Sequence, residues 1–169
     1  MNTPKTLFTA LCFLVLVGCQ YDPFAHLYTT QEPEASDLVG TYVIERQTFD
    51  YNLEAFVDSL GEELHPQITL NADGTFDVVD LPNVSGEIIT PVLDGYVTTS
   101  GTWKVASVGS IGDGSGNTKT HWGIYMPELP LELRNGGLIN NEAPYKIIFG
   151  FGDPDSGYAI IFKKNPKLP

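Results

Sequence analysis

The chain has 169 residues, 42% of them hydrophobic, with 21 acidic against nine basic side chains and a net charge of −12. Such an acid excess excludes nucleic acid as a partner, because that binding rests on neutralising phosphates. It also argues against docking on anionic lipid headgroups, and it serves solubility.

The chain opens with one positive charge, Lys5, and no acid, and the run from Leu7 to Val17 is nearly all apolar. That run is short of the ~20 apolar residues a spanning helix needs. A short charged start followed by a short apolar core is a secretory signal. It ends in Leu16-Val17-Gly18-Cys19. This tetrapeptide resembles the lipobox of bacterial lipoproteins, in which an obligatory Cys follows small and aliphatic residues. The resemblance implies diacylglycerol on the Cys19 sulfur, removal of residues 1–18 as a signal peptide, and acylation of the new amino terminus. It also implies a protein held to a membrane of the bacterial cell envelope by its lipid. Gln20 stands where an Asp often retains such proteins in the inner membrane, so the resemblance points to the outer membrane of a Gram-negative cell. Several acyl chains make a firm anchor where one does not.

Cutting before Cys19 leaves 151 residues, enough for one domain. Cys12 departs with the signal and Cys19 carries lipid, so no thiol remains for a disulfide. With Lys5 gone, eight basic residues face 21 acidic ones, a net charge of −13.

Tyr21 to Ser36 is polar and aperiodic, with Pro23 and Pro33. Residues 19–36 are therefore expected to be a flexible, lipid-anchored tether, in which the sixteen residues from Tyr21 to Ser36 reach about 20–25 Å. The domain is expected over 37–169. Period-2 alternation predicts strands over Val39–Ile44, over Ile68–Leu70 and from Thr75 to Asp80, with Asn71-Ala72-Asp73-Gly74 as a hairpin turn. Val97, Thr99, Gly101, Trp103 and Val105 share one face of the next strand, and the polar set Thr98, Ser100, Thr102 and Lys104 the other, so the Trp103 face is expected inward. Trp122, Ile124 and Met126 mark a further strand. Tyr145 to Phe151 and Tyr158 to Lys163 mark the last two, joined by a Pro- and Gly-containing turn. The one predicted helix runs Asn52–Leu60, with Leu53, Phe56, Val57 and Leu60 on one face. Val108–Thr118 is Gly/Ser-rich and reads as a mobile loop.

This pattern predicts an all-β fold, an up-and-down, roughly eight-stranded antiparallel barrel with one short helix, or alternatively a β-sandwich. Leu38-Val39-Gly40-Thr41-Tyr42, then Ile68-Thr69-Leu70-Asn71-Ala72-Asp73-Gly74-Thr75-Phe76, then Ser100-Gly101-Thr102-Trp103-Lys104 resemble the lipocalin-like domains of bacterial lipoproteins. The resemblance covers about two-thirds of the mature chain and implies a lipocalin-like barrel. Tyr42 stands where a lipocalin usually has Trp.

The three histidines, His26, His65 and His121, show no metal-ligand spacing, and no metal or other cofactor is expected. There is no nucleophile elbow, phosphate loop or catalytic cysteine. Paired acids such as Asp153 with Asp155 and Glu62 with Glu63 read as solvated turns and ends. Asp113-Gly114-Ser115-Gly116-Asn117 lacks the Gly and Glu of a calcium loop, with Thr118 and Ile124 in their places. Tyr42, Phe76, Trp103, Trp122 and Phe149 are the candidate ligand-binding residues. Aromatics at strand period either line a ligand cavity or fill the core, and an eight-stranded barrel has room for either. The expected function is that of a non-catalytic envelope lipoprotein whose barrel binds a small apolar molecule or lipid. The alternative is a module that recruits or inhibits another envelope protein.

Overall fold

The computed structural model describes residues 22–48, 64–85, 91–112 and 116–167. The signal segment with Cys19, the predicted helix Asn52–Leu60, the Glu62–Glu63 pair and Asp113–Ser115 of the Gly/Ser-rich loop lie outside the described residues.

Nine strands form a single antiparallel sheet: β1 (Gly40–Gln47), β2 (Gln67–Leu70), β3 (Thr75–Ser85), β4 (Val92–Thr102), β5 (Lys104–Gly112), β6 (Thr118–Tyr125), β7 (Asn135–Ile139), β8 (Lys146–Phe151) and β9 (Tyr158–Lys164). Their order is β4-β3-β2-β1-β9-β8-β7-β6-β5, so the first and last strands pair at its centre. One continuous sheet replaces the two facing sheets of a sandwich, and it curls into a half-barrel. β4 and β5 stand at opposite edges of the order, yet only Trp103 separates them in the chain. One long extended run thus pairs with β3 through its first part and with β6 through its second. The sheet curls until its two edges meet at Trp103. Counted as one strand, that run restores the eight expected.

Alternation fills the interior. Tyr42, Ile68, Leu70, Phe76, Ile124, Met126, Leu138, Ile147, Phe149 and Phe162 are all buried in one cluster. Each such side chain is worth about 1.5–3 kcal/mol when taken from water. The Phe149 and Phe162 rings meet edge to face, 6.0 Å between centroids. The Val97–Val105 face lies inward, as alternation predicts: Thr98, Ser100, Thr102 and Lys104 are exposed while Trp103 is buried.

One helical turn, α1 (Ala35–Leu38), precedes β1 and places Leu38 in the core, where its carbonyl accepts the Tyr42 hydroxyl proton at 2.8 Å. The turn was not foreseen, because four residues are too few for a periodic signal.

The flexible tether expected over 19–36 is corrected for its described part. Phe24 is buried with Ile139, Ile148, Ala159 and Ile161 on the outer side of the sheet. Thr29 is fully buried and completes the sheet where β6 and β7 diverge. Its N–H donates to the Leu138 carbonyl at 2.9 Å, and its carbonyl accepts from Trp122 N at 2.9 Å. Its hydroxyl donates to the Asn140 carbonyl at 2.5 Å. Residues 22–30 therefore form a docked strap. Its anchors, Phe24, Tyr28 and Thr29, follow no strand or helix period, so the sequence does not mark it.

Candidate functional site

Two chain segments and one turn converge beside Trp103. The hairpin turn between β2 and β3 closes with Gly74 N donating to the Asn71 carbonyl at 3.1 Å. Gly74 sits at φ +82°, a conformation glycine adopts without strain. Its own carbonyl accepts the Trp103 backbone N–H at 2.8 Å. The indole Nε1 of Trp103 then donates to the Asn71 carbonyl at 3.0 Å. The turn thus holds both the backbone and the ring of the residue at which the sheet's edges meet. A second clasp lies one residue earlier. Thr102 N and Oγ1 donate to the Glu128 carboxylate at 3.1 and 3.2 Å. These bonds hold the exposed Glu128 carboxyl below its usual range, the Thr102 backbone bond most.

Against this junction lies a groove of about 510 Å³. Trp103 and Val105 of the junction line it together with Ala72 and Gly74 of the turn and Ala35, Ser36 and Val39 around the start of β1. Its volume falls in the range of about 300–1,000 Å³ typical of small-molecule sites. Its lining is mainly apolar. Lys104 belongs to the rim, but its ammonium lies over the Tyr125 ring, 5.6 Å from the centroid. A carboxylate, phosphate or metal therefore finds little to hold it within the groove, whereas an apolar body finds Trp103, Val39 and Val105.

The five aromatic candidates do not share one open cavity. Trp103, 7% exposed, is the one that lines the groove. Tyr42, Phe76 and Phe149 are wholly within the packed interior and belong to the core. Burial raises the Tyr42 phenol well above its ordinary value. Trp122 is half-buried on β6, where its N–H holds the strap. The sequence missed Ala35, Ser36, Val39 and Ala72, because small residues near a turn carry no pattern that marks them as a wall.

His121 is a buried polar group with a stacking partner on one face and a hydrogen-bond partner at its edge. Its ring stacks on Tyr28, 3.9 Å between centroids, and its Nε2 lies 3.1 Å from the Leu138 carbonyl. Burial lowers its basicity. Tyr28 in turn donates from its hydroxyl to Asp22 at 2.6 Å, and its own phenol is raised by burial and by that carboxylate. This stack pins the strap. Among the described residues no group of three or more His, Cys, Asp or Glu is placed to hold a metal ion. Among them, too, no helix is long and apolar enough to cross a membrane.

Models of known protein families, curated proteins and solved structures were compared with the chain, and none matches.

Proposed function

We propose that the chain is a lipid-anchored lipoprotein of the bacterial envelope whose non-catalytic barrel binds a small apolar molecule in the groove beside Trp103. The observation that carries the reading is the groove itself, about 510 Å³ and walled by Val39, Trp103 and Val105. The interior is packed with Tyr42, Phe76 and Phe149, so the ligand lies across one end of the barrel instead of down its axis. The lipobox-like Leu16-Val17-Gly18-Cys19 supports the anchor, and Gln20 supports the outer membrane.

Two experiments test the two halves. The apolar fluorophore N-phenyl-1-naphthylamine is expected to bind the protein saturably, and Val39→Trp, which fills the groove, is expected to abolish that binding. Saturable binding that survives Val39→Trp contradicts the groove as the site. Cells fed a palmitate analogue are expected to label the wild-type chain and not Cys19→Ala; equal label on both contradicts the anchor.

A further inference from the structure

We infer that the docked strap fixes how the barrel stands on the bilayer, with the turn between β8 and β9 against the lipid surface and the Trp103 groove at the far end. The inference rests on the proposed lipidation of Cys19.

The length of chain decides it. Three Cα–Cα steps separate Cys19 from Asp22, and three steps of 3.8 Å span at most ~11 Å. Asp22 begins the docked strap. Its carboxylate accepts from Phe24 N at 2.8 Å and from the Tyr28 hydroxyl at 2.6 Å. Pro23 packs against Gly157, where an added Cβ would meet its ring carbon at 2.9 Å. Gly157 closes the β8–β9 turn. The Cα of Cys19, the point from which the lipid hangs, therefore lies within about 11 Å of Asp22 beside that turn.

The groove lies elsewhere. β9 runs from Tyr158, next to that turn, to Lys164, about 20 Å away at roughly 3.3 Å per residue. At that far end the Lys164 ammonium donates to the Asp37 carbonyl at 3.2 Å. Its stem lies against Gly40, beside Val39 of the groove. A freely swinging tether of sixteen residues imposes no orientation, whereas a strap fastened at Phe24, Tyr28 and Thr29 does. The groove then exchanges its ligand with the aqueous space or a facing membrane, not with the bilayer that carries the anchor. The surface this arrangement fits is zwitterionic, since Asp153 and Asp155 lie on the membrane-side turn.

The test uses the full chain expressed in bacteria, recovered in its mature membrane form and placed in phosphatidylcholine–phosphatidylethanolamine nanodiscs with gadolinium-chelating headgroups. Mass spectrometry first reads the acyl chains on Cys19. Paramagnetic broadening of the amides is expected to be several-fold greater over Gly152–Gly157 than over Asn71–Gly74. Inserting a twelve-residue Gly/Ser linker between Gln20 and Tyr21 is expected to erase the contrast. Equal or reversed broadening in the acylated protein, or a contrast that survives the linker, overturns the orientation and leaves the lipoprotein reading standing. Absence of acyl chains overturns that reading and the orientation with it.

Discussion

The indole of Trp103 donates to the main-chain carbonyl of Asn71 at 3.0 Å, across 32 residues of sequence. That carbonyl also accepts Gly74 N, and Trp103 N is taken up by the Gly74 carbonyl. One turn of four residues thereby fastens the point where the long β4–β5 run passes from one edge of the sheet to the other. The same ring forms a wall of the groove. The junction of the sheet's two edges and the lining of the groove share one residue.

Trp103→Ala is expected to destabilise the fold by about 3–5 kcal/mol, as large core truncations do. Trp103→Phe keeps most of the ring but loses the indole bond, and is expected to cost ~1 kcal/mol for that bond beyond any loss of packing. Chemical denaturation followed by circular dichroism measures both. A Trp103→Ala variant as stable as wild type means that the ring closes nothing.

Gly101 is expected to tolerate no side chain. A Cβ there would lie 2.5 Å from the Glu128 carboxylate and 2.8 Å from the Phe76 ring. Gly101→Ala is predicted to cost about 1–3 kcal/mol by overpacking. Because an added Cβ displaces the Glu128 carboxylate from Thr102, Glu128→Ala is expected to cost less in the Gly101→Ala background than in wild type. A Glu128→Ala change that costs the same in both backgrounds contradicts the clasp.

Stability is predicted to fall as pH drops below 6.5, before the carboxylates titrate. His121 has a folded-state affinity for protons below that of the unfolded chain, because burial disfavours the imidazolium. The unfolded state therefore binds more protons in this window, and its stabilisation by acid is a loss for the fold. Above 6.5 the contribution is fully present. His121→Phe is expected to flatten the slope between about pH 6.5 and 5, leaving the lower-pH loss set by Asp73, Asp77 and Glu128, whose carboxyls are depressed by hydrogen bonds. An unchanged slope in the variant contradicts the lowered basicity of the buried ring.

Much of the fold is legible in the sequence because alternation states which face is buried. Ile68 and Leu70, the Asn71–Gly74 turn, and Phe76 and Val78 follow each other in the order that makes β2, the turn and β3. What alternation cannot state is a strand without side chains. β7 reads Asn-Gly-Gly-Leu-Ile, and its glycines are demanded by neighbours: a Cβ on Gly136 would meet Ile147 at 2.8 Å, and one on Gly137 would meet His121 at 2.6 Å. Nor does the sequence show that the run through Trp103 changes partners, since both halves keep the same inward face. The strap is hidden for a third reason, because Thr29 is held through its backbone and its neighbours carry no period. Of the site, Trp103 was readable as an inward aromatic. The small residues Ala35, Ser36 and Ala72 are brought to the same groove only by the folded chain.

The groove is tested most directly by amide and indole chemical-shift mapping on the mature protein titrated with an uncharged apolar ligand such as dodecanol. The account predicts saturable shifts confined to Val39, Ala72, Gly74, Val105 and the Trp103 indole N–H, and their loss in Val39→Trp. Shifts centred on the packed interior around Tyr42 and Phe149, or no saturable shift at the Trp103 indole, would contradict it.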